Sequence, residues 1–119
     1  MFTHEKFEAY QLSIQFADIA LRLVDQIPSP HSALRDQLRR AAFSVPLNIA
    51  EGTGKNRDTD RKRFYSIARG SAMECAAICD IIELIDGQLS PEAARGKQKL
   101  ESIVSILSTI CSKTVKSYG

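Results

Sequence analysis

The chain lacks any uninterrupted apolar run approaching the roughly 20 residues that a membrane-crossing helix needs. Its richest stretch, Ala76 to Ile85, is broken by Asp80 and Glu83, so no membrane span is expected. Histidine is scarce, with only His4 and His31. Neither forms the Glu-x-x-His pair with which helix bundles hold metals, and no catalytic triad has a base. No metal and no cofactor is expected. The cysteines, Cys75, Cys79 and Cys111, make an odd count without the spacing of a disulfide scaffold, so reduced thiols are expected. Cys75 and Cys79 stand four apart with no histidine near them, which fits small buried apolar residues. Met1 to Lys6 lacks the basic start and plain apolar segment of an export signal, and a cytoplasmic location is expected. Glu51-Gly52-Thr53-Gly54-Lys55-Asn56 resembles a phosphate-cradling loop only superficially, because the Gly-x-x-x-x-Gly-Lys-Ser/Thr spacing is missing and a helix, not a strand, precedes it. With these constellations gone, a non-enzymatic protein is expected.

What remains is ordinary globular composition, 44% hydrophobic and 25% charged. At 119 residues it suits one domain over 1–119, able to bury roughly two-thirds of its unfolded surface. Helical periodicity marks segments of about 7–27, 30–52, 60–86 and 91–117. The simplest packing of four such helices with short links is an all-α, antiparallel up-and-down four-helix bundle. The first helix carries two apolar rows, one of Phe7, Tyr10, Ile14, Ala17, Leu21 and Val24, the other of Leu12, Phe16, Ile19, Leu23 and Ile27. The second pairs a core row, Leu34, Leu38, Ala41, Ala42, Val45 and Ile49, with Phe43, Leu47 and Ala50 on another side. One face of each should meet the bundle and the surplus face should serve self-association. Pro46 predicts a kink or local break near Ala42 to Pro46. Ser29 with Pro30, Thr59 or Asp58, and Ser90 with Pro91 are the expected helix starts, and Gly87 the stop of the third helix. Lys113 and Lys116 suit the end of the fourth.

Charge is unevenly placed. From Arg35 to Arg69 nine basic residues face four acids, a window of +5, while the remainder is −3. Arg39, Arg40, Lys55, Arg57, Arg61, Lys62 and Arg63 are therefore the candidate nucleic-acid contacts, since phosphate affinity comes from charge neutralisation and counterion release. In a ring of subunits the window would repeat into a belt. The alternative is a structural or adaptor protein whose surplus apolar faces serve assembly and a protein partner.

Arg39-Arg40-Ala41, then Ser44 to Gly52 (Ser-Val-Pro-Leu-Asn-Ile-Ala-Glu-Gly), Arg63-Phe64, Ile67 to Ser71 (Ile-Ala-Arg-Gly-Ser) and Glu74 closely resemble the bundle proteins of the 23S rRNA intervening-sequence family, over about Phe7 to Lys113. Members are encoded within insertions in some bacterial 23S rRNA genes, and similar proteins serve diversity-generating retroelements as pentameric barrels that bind nucleic acid. The resemblance implies a homopentamer and a nucleic-acid role, and no enzymatic activity. Thr53-Gly54-Lys55 and the Cys75 to Cys79 run depart from the family's usual pattern. Of the motif residues, Asn48, Glu51, Arg69, Gly70 and Ser71 are expected to be structural. Asn48 would serve carbonyls freed by Pro46, Glu51 would pair with Arg69 or Arg40, and Gly70 with Ser71 would admit a neighbouring helix.

Overall fold

A computed structural model describes residues 1–113; Thr114, Lys116 and the expected helical end at 117 lie outside the described residues. The four helices are α1, Glu8–Gln26, α2, Ser32–Thr53, α3, Asp58–Ile85, and α4, Ser90–Ser112. Short 3-10 turns precede α1 (Thr3–Lys6), α2 (Ser29–His31) and α4 (Gly87–Leu89).

The helix ends follow backbone chemistry more than side-chain capping. Ile27, which precedes Pro28, is extended at φ −69° and ψ 127°, the conformation a following proline imposes, and α1 stops there. Pro30 lies in the 3-10 turn, so α2 starts two residues later than its Ser-Pro signal predicts. Neither Thr59 nor Asp58 caps α3: Arg57 occupies the cap position, and no side chain bonds the first free N–H groups. Asp58 and Asp60 act instead as charges in the first turn, where the helix dipole favours anions. Ser90 likewise begins α4 without capping it. At the other end of α3 the chain leaves the helix at Asp86, before Gly87, and the Asp86 carboxylate accepts from the Gln88 N–H at 2.9 Å.

Each helix packs mainly on two others, α1 on α2 and α4, and α3 on α2 and α4, which closes a four-membered cycle. Phe16, Ile19 and Leu23 of α1, Leu38, Val45 and Ile49 of α2, Ile82 of α3 and Leu100, Ile103 and Leu107 of α4 fill the centre. Each fully buried large side chain contributes about 1.5–3 kcal/mol by leaving water. Of the two rows on α1, the one through Phe16, Ile19 and Leu23 is core, while Ile14 and Leu21 stay 47% and 43% exposed. On α2 the Leu38 to Ile49 row is core and Leu47 is 68% exposed. Both surplus faces therefore lie on the outside of the single chain.

Cross-links between helices fix the register. Thr53 Oγ1 and Tyr65 Oη lie 2.8 Å apart, Ser44 Oγ and Ser71 Oγ 2.8 Å, and Arg40 Nη2 reaches Glu74 Oε2 at 3.4 Å. Between α3 and α4, Arg69 Nε donates to Ser108 Oγ at 2.6 Å and Lys97 Nζ to Asp80 Oδ1 at 2.6 Å. Of the kink or local break expected at Pro46, the break is absent: α2 runs continuously through it, and Pro46 is buried. The Asn48 amide adds a bond to the Ser44 carbonyl at 2.8 Å, one turn back.

Candidate nucleic-acid interface

The seven basic candidates fall into two groups. Arg39 and Arg40 are exposed on the first half of α2, and Lys55, Arg57, Arg61, Lys62 and Arg63 gather at its far end, around the α2–α3 connection. Thirteen residues of helix, about 20 Å at 1.5 Å per residue, separate Arg40 from Thr53. One chain therefore does not join them into a single patch.

Within the connection the cations differ in how free they are. Arg61 Nη1 donates to the Lys55 carbonyl at 3.1 Å and so ties the loop to the first turn of α3. Lys62 pairs with Asp58 at 3.4 Å and also reaches the Lys113 carbonyl. Lys55 Nζ and the Arg63 guanidinium sit 5.2 Å and 5.0 Å from the centre of the Phe64 ring, within cation–π range. Arg57 and Arg63 are exposed and make no ion pair among the described residues. On α2, Arg39 pairs with Asp36 at 3.4 Å and Arg40 with Glu74. Ion pairs of this exposed kind contribute about 0–1 kcal/mol, so these arginines are easily released to another anion.

The motif residues sort differently from expectation. Asn48 and Ser71 meet through Ser44, whose hydroxyl accepts from the Asn48 amide at 3.0 Å while lying 2.8 Å from Ser71 Oγ. Glu51 is exposed and pairs with neither Arg69 nor Arg40 among the described residues; it projects beside Leu47, Asn48, Ala50 and Phe64. The reason is angular. Glu51 and the buried Ile49 lie about 200° apart around α2, so the carboxylate leaves the bundle while Arg69 faces α4. Gly70 is also outward, and a β-carbon there would meet nothing within 4 Å. Close helix approach occurs at Gly52 and Gly96 instead, where a β-carbon would lie 2.8 Å from Tyr65 Cε1 and 3.0 Å from Phe16 Cε1.

Two apolar grooves lie on the outside, the first formed by the surplus rows that the sequence shows on the first two helices, the second not singled out by sequence reasoning. Ile14, Ala17, Phe43, Pro46 and Leu47 line a wholly apolar groove between α1 and α2, and Met73, Ala76, Leu100 and Val104 line another between α3 and α4, with Glu101 and Ser105 at its edge. Further along the α3–α4 groove the lining turns polar, with Ser66, Arg69, Ser108, Cys111 and Ser112. Its signals in the sequence are the motif residue Arg69 and the serine spacing on α4. Cys75 and Cys79 are fully buried, as core packing predicts, and burial pushes both thiols up to about 12.

Among the described residues no helix is long and apolar enough to cross a membrane. The fold and its basic connection define a small four-helix, all-α bundle protein. The family model described as 23S rRNA-intervening sequence protein matches residues 5–109, and the chain belongs to that family. No curated protein matches the chain.

Proposed function

We propose that this protein is a non-enzymatic, cofactor-free, nucleic-acid-binding homo-oligomer of the cytoplasm, with structured RNA as its first candidate ligand. The observation that carries this is the α2–α3 connection, where Lys55, Arg57, Arg61, Lys62 and Arg63 outnumber the nearby acids Glu51, Asp58 and Asp60, with Arg57 and Arg63 exposed and making no ion pair among the described residues. The family's description, which names the 23S rRNA intervening sequence, is the second support. An antiparallel up-and-down topology accords with the cross-links, since partners of α2 residues 40, 44 and 53 on α3 run backwards through 74, 71 and 65.

Assembly is part of the same proposal. The two apolar grooves lie between different helix pairs, on opposite sides of the cycle. Contact of one groove with the other on a second copy is head-to-tail and closes as a ring when the rotation permits. A homopentamer is the ring implied by the family resemblance, and it would bring the basic connection around one rim. Those same grooves favour the second candidate, an adaptor that assembles and holds a protein partner.

Equilibrium binding of a structured RNA and of duplex DNA, measured across a salt series, separates the two. Nucleic-acid contact through several cations requires the logarithm of the association constant to fall steeply and linearly with the logarithm of salt concentration. Absence of binding at low salt would leave the adaptor in its place.

A further inference from the structure

Lys62, Ser66 and Arg69 follow one another at spacings of four and three on α3, and across the groove α4 sets Ser108, Cys111 and Ser112 at spacings of three and one. The last five residues of this set line a single hollow, and no acid is among them. Arg69 is half-buried there, and the bond from its Nε to Ser108 Oγ fixes the plane of the guanidinium. Among the described residues its Nη groups make no hydrogen bond and no carboxylate stands within ion-pair distance of it. Its unbonded Nη edge is open to solvent rather than sealed in the core, so an anion can reach it without displacing a protein partner.

The hydroxyls can be donors to the same guest. Ser108 Oγ accepts from Arg69 and keeps its own proton to give. Ser66 gives its proton only to the Cys111 thiol at 3.5 Å, a weak acceptor that is easily exchanged. Lys62 touches the Lys113 carbonyl, which offsets the negative end of α4 that would otherwise repel an anion.

We propose that this hollow is a phosphoryl-group site, in which the free Nη edge of Arg69 takes two oxygens side by side and the Ser108 and Ser66 hydroxyls donate to the group. The fork of an arginine suits phosphate in this bidentate way. A free phosphate ester and a nucleic-acid backbone phosphate share that chemistry. The site adjoins the basic connection at Lys62 but is not formed by it, because none of Lys55, Arg57, Arg61, Lys62 and Arg63 lines it.

The test is a nuclear magnetic resonance titration of the assembled protein with inorganic phosphate at constant ionic strength, chloride serving as the balancing anion. The expected result is a saturable shift confined to Ser66, Arg69, Ser108 and Ser112. Arg69→Gln should weaken it by about tenfold or more, the loss of a charge-assisted bidentate contact. Arg69→Lys should recover only part of the affinity, since the ammonium cannot form the fork. Ser112→Glu, an exposed change that leaves the fold intact, should abolish the shift by repulsion and stands in if Arg69→Gln fails to fold. Competition at the same signals by a nucleoside monophosphate, or by an oligonucleotide without terminal phosphates, assigns the source to an ester or to a backbone. Absence of localised shifts, or unchanged affinity in Arg69→Gln and Ser112→Glu, overturns the proposal. So does break-up of the oligomer by Arg69→Gln without any phosphate response, which would mean that a neighbouring copy's carboxylate fills the hollow. Because the probe is inorganic phosphate, failure of RNA binding elsewhere leaves this test untouched.

Discussion

Gly52 lies under the ring of Tyr65 so closely that a β-carbon would come within 2.8 Å of Cε1 and 3.1 Å of the Arg61 carbonyl. The aromatic ring and the backbone of α3 together close the space, so neither can simply swing aside. Gly52→Ala should therefore destabilise the fold by about 1–3 kcal/mol through overpacking, despite alanine's better helix propensity. Urea unfolding checks this, and a variant as stable as the parent would contradict the packing described.

How far the fold was legible in the sequence follows from what periodicity encodes. The rows through Phe16, Ile19 and Leu23 and through Leu38, Val45 and Ile49 are core because apolar residues at helical spacing have one buried outcome. The surplus rows carrying Ile14, Leu21 and Leu47 were equally visible; on α2 the core row is the one that the spacing predicts, whereas on α1 two rows of similar strength leave the inward one open. Glu51 and Gly70 were misjudged because the partner of a polar motif residue depends on angles between helices. Arg69 chose Ser108, a residue of α4 whose role no motif announced. The seven-cation candidate site was legible as charge, and its division along α2 was not.

Glu51→Ala should be nearly neutral, within about 0.5 kcal/mol, because an exposed carboxylate with no ion pair among the described residues has little stability to lose. A loss of several kcal/mol in thermal or chemical unfolding of the single chain would restore the buried pair that the motif suggested.

Ser44 and Ser71 join α2 to α3 through one hydroxyl-to-hydroxyl contact, with Asn48 donating to the same oxygen. A double-mutant cycle of Ser44→Ala and Ser71→Ala should give a coupling of about 0.5–1.5 kcal/mol. Strict additivity would show that the contact is not stabilising.

Burial raises the Cys75 and Cys79 thiols from 9.0 to about 12, with Cys79 adding to the shift at Cys75 and Asp80 to that at Cys79. Between those values the unfolded chain has lost the thiol proton and the native state still holds it. The stability that neutral burial contributes is therefore complete below pH 9 and declines as pH rises towards 12. The slope is about 1.4 kcal/mol per pH unit for each thiol. Unfolding measured from pH 8 upward should fall less steeply in Cys75→Ala/Cys79→Ala than in the parent. Equal slopes would place the cysteines in contact with water.

The central claim is that exposed cations at the α2–α3 connection hold nucleic-acid phosphates. Its most direct test is the affinity of the Lys55→Gln/Arg57→Gln/Arg63→Gln variant for a structured RNA, followed across salt beside the parent. These positions leave the Arg61 tie to the loop and the Lys62 pair with Asp58 in place. The predicted result is weaker binding to every sequence, a salt slope flatter by about one unit per lost contact, and unchanged helicity and oligomer size. Parent-like affinity and slope at matched salt would contradict the claim.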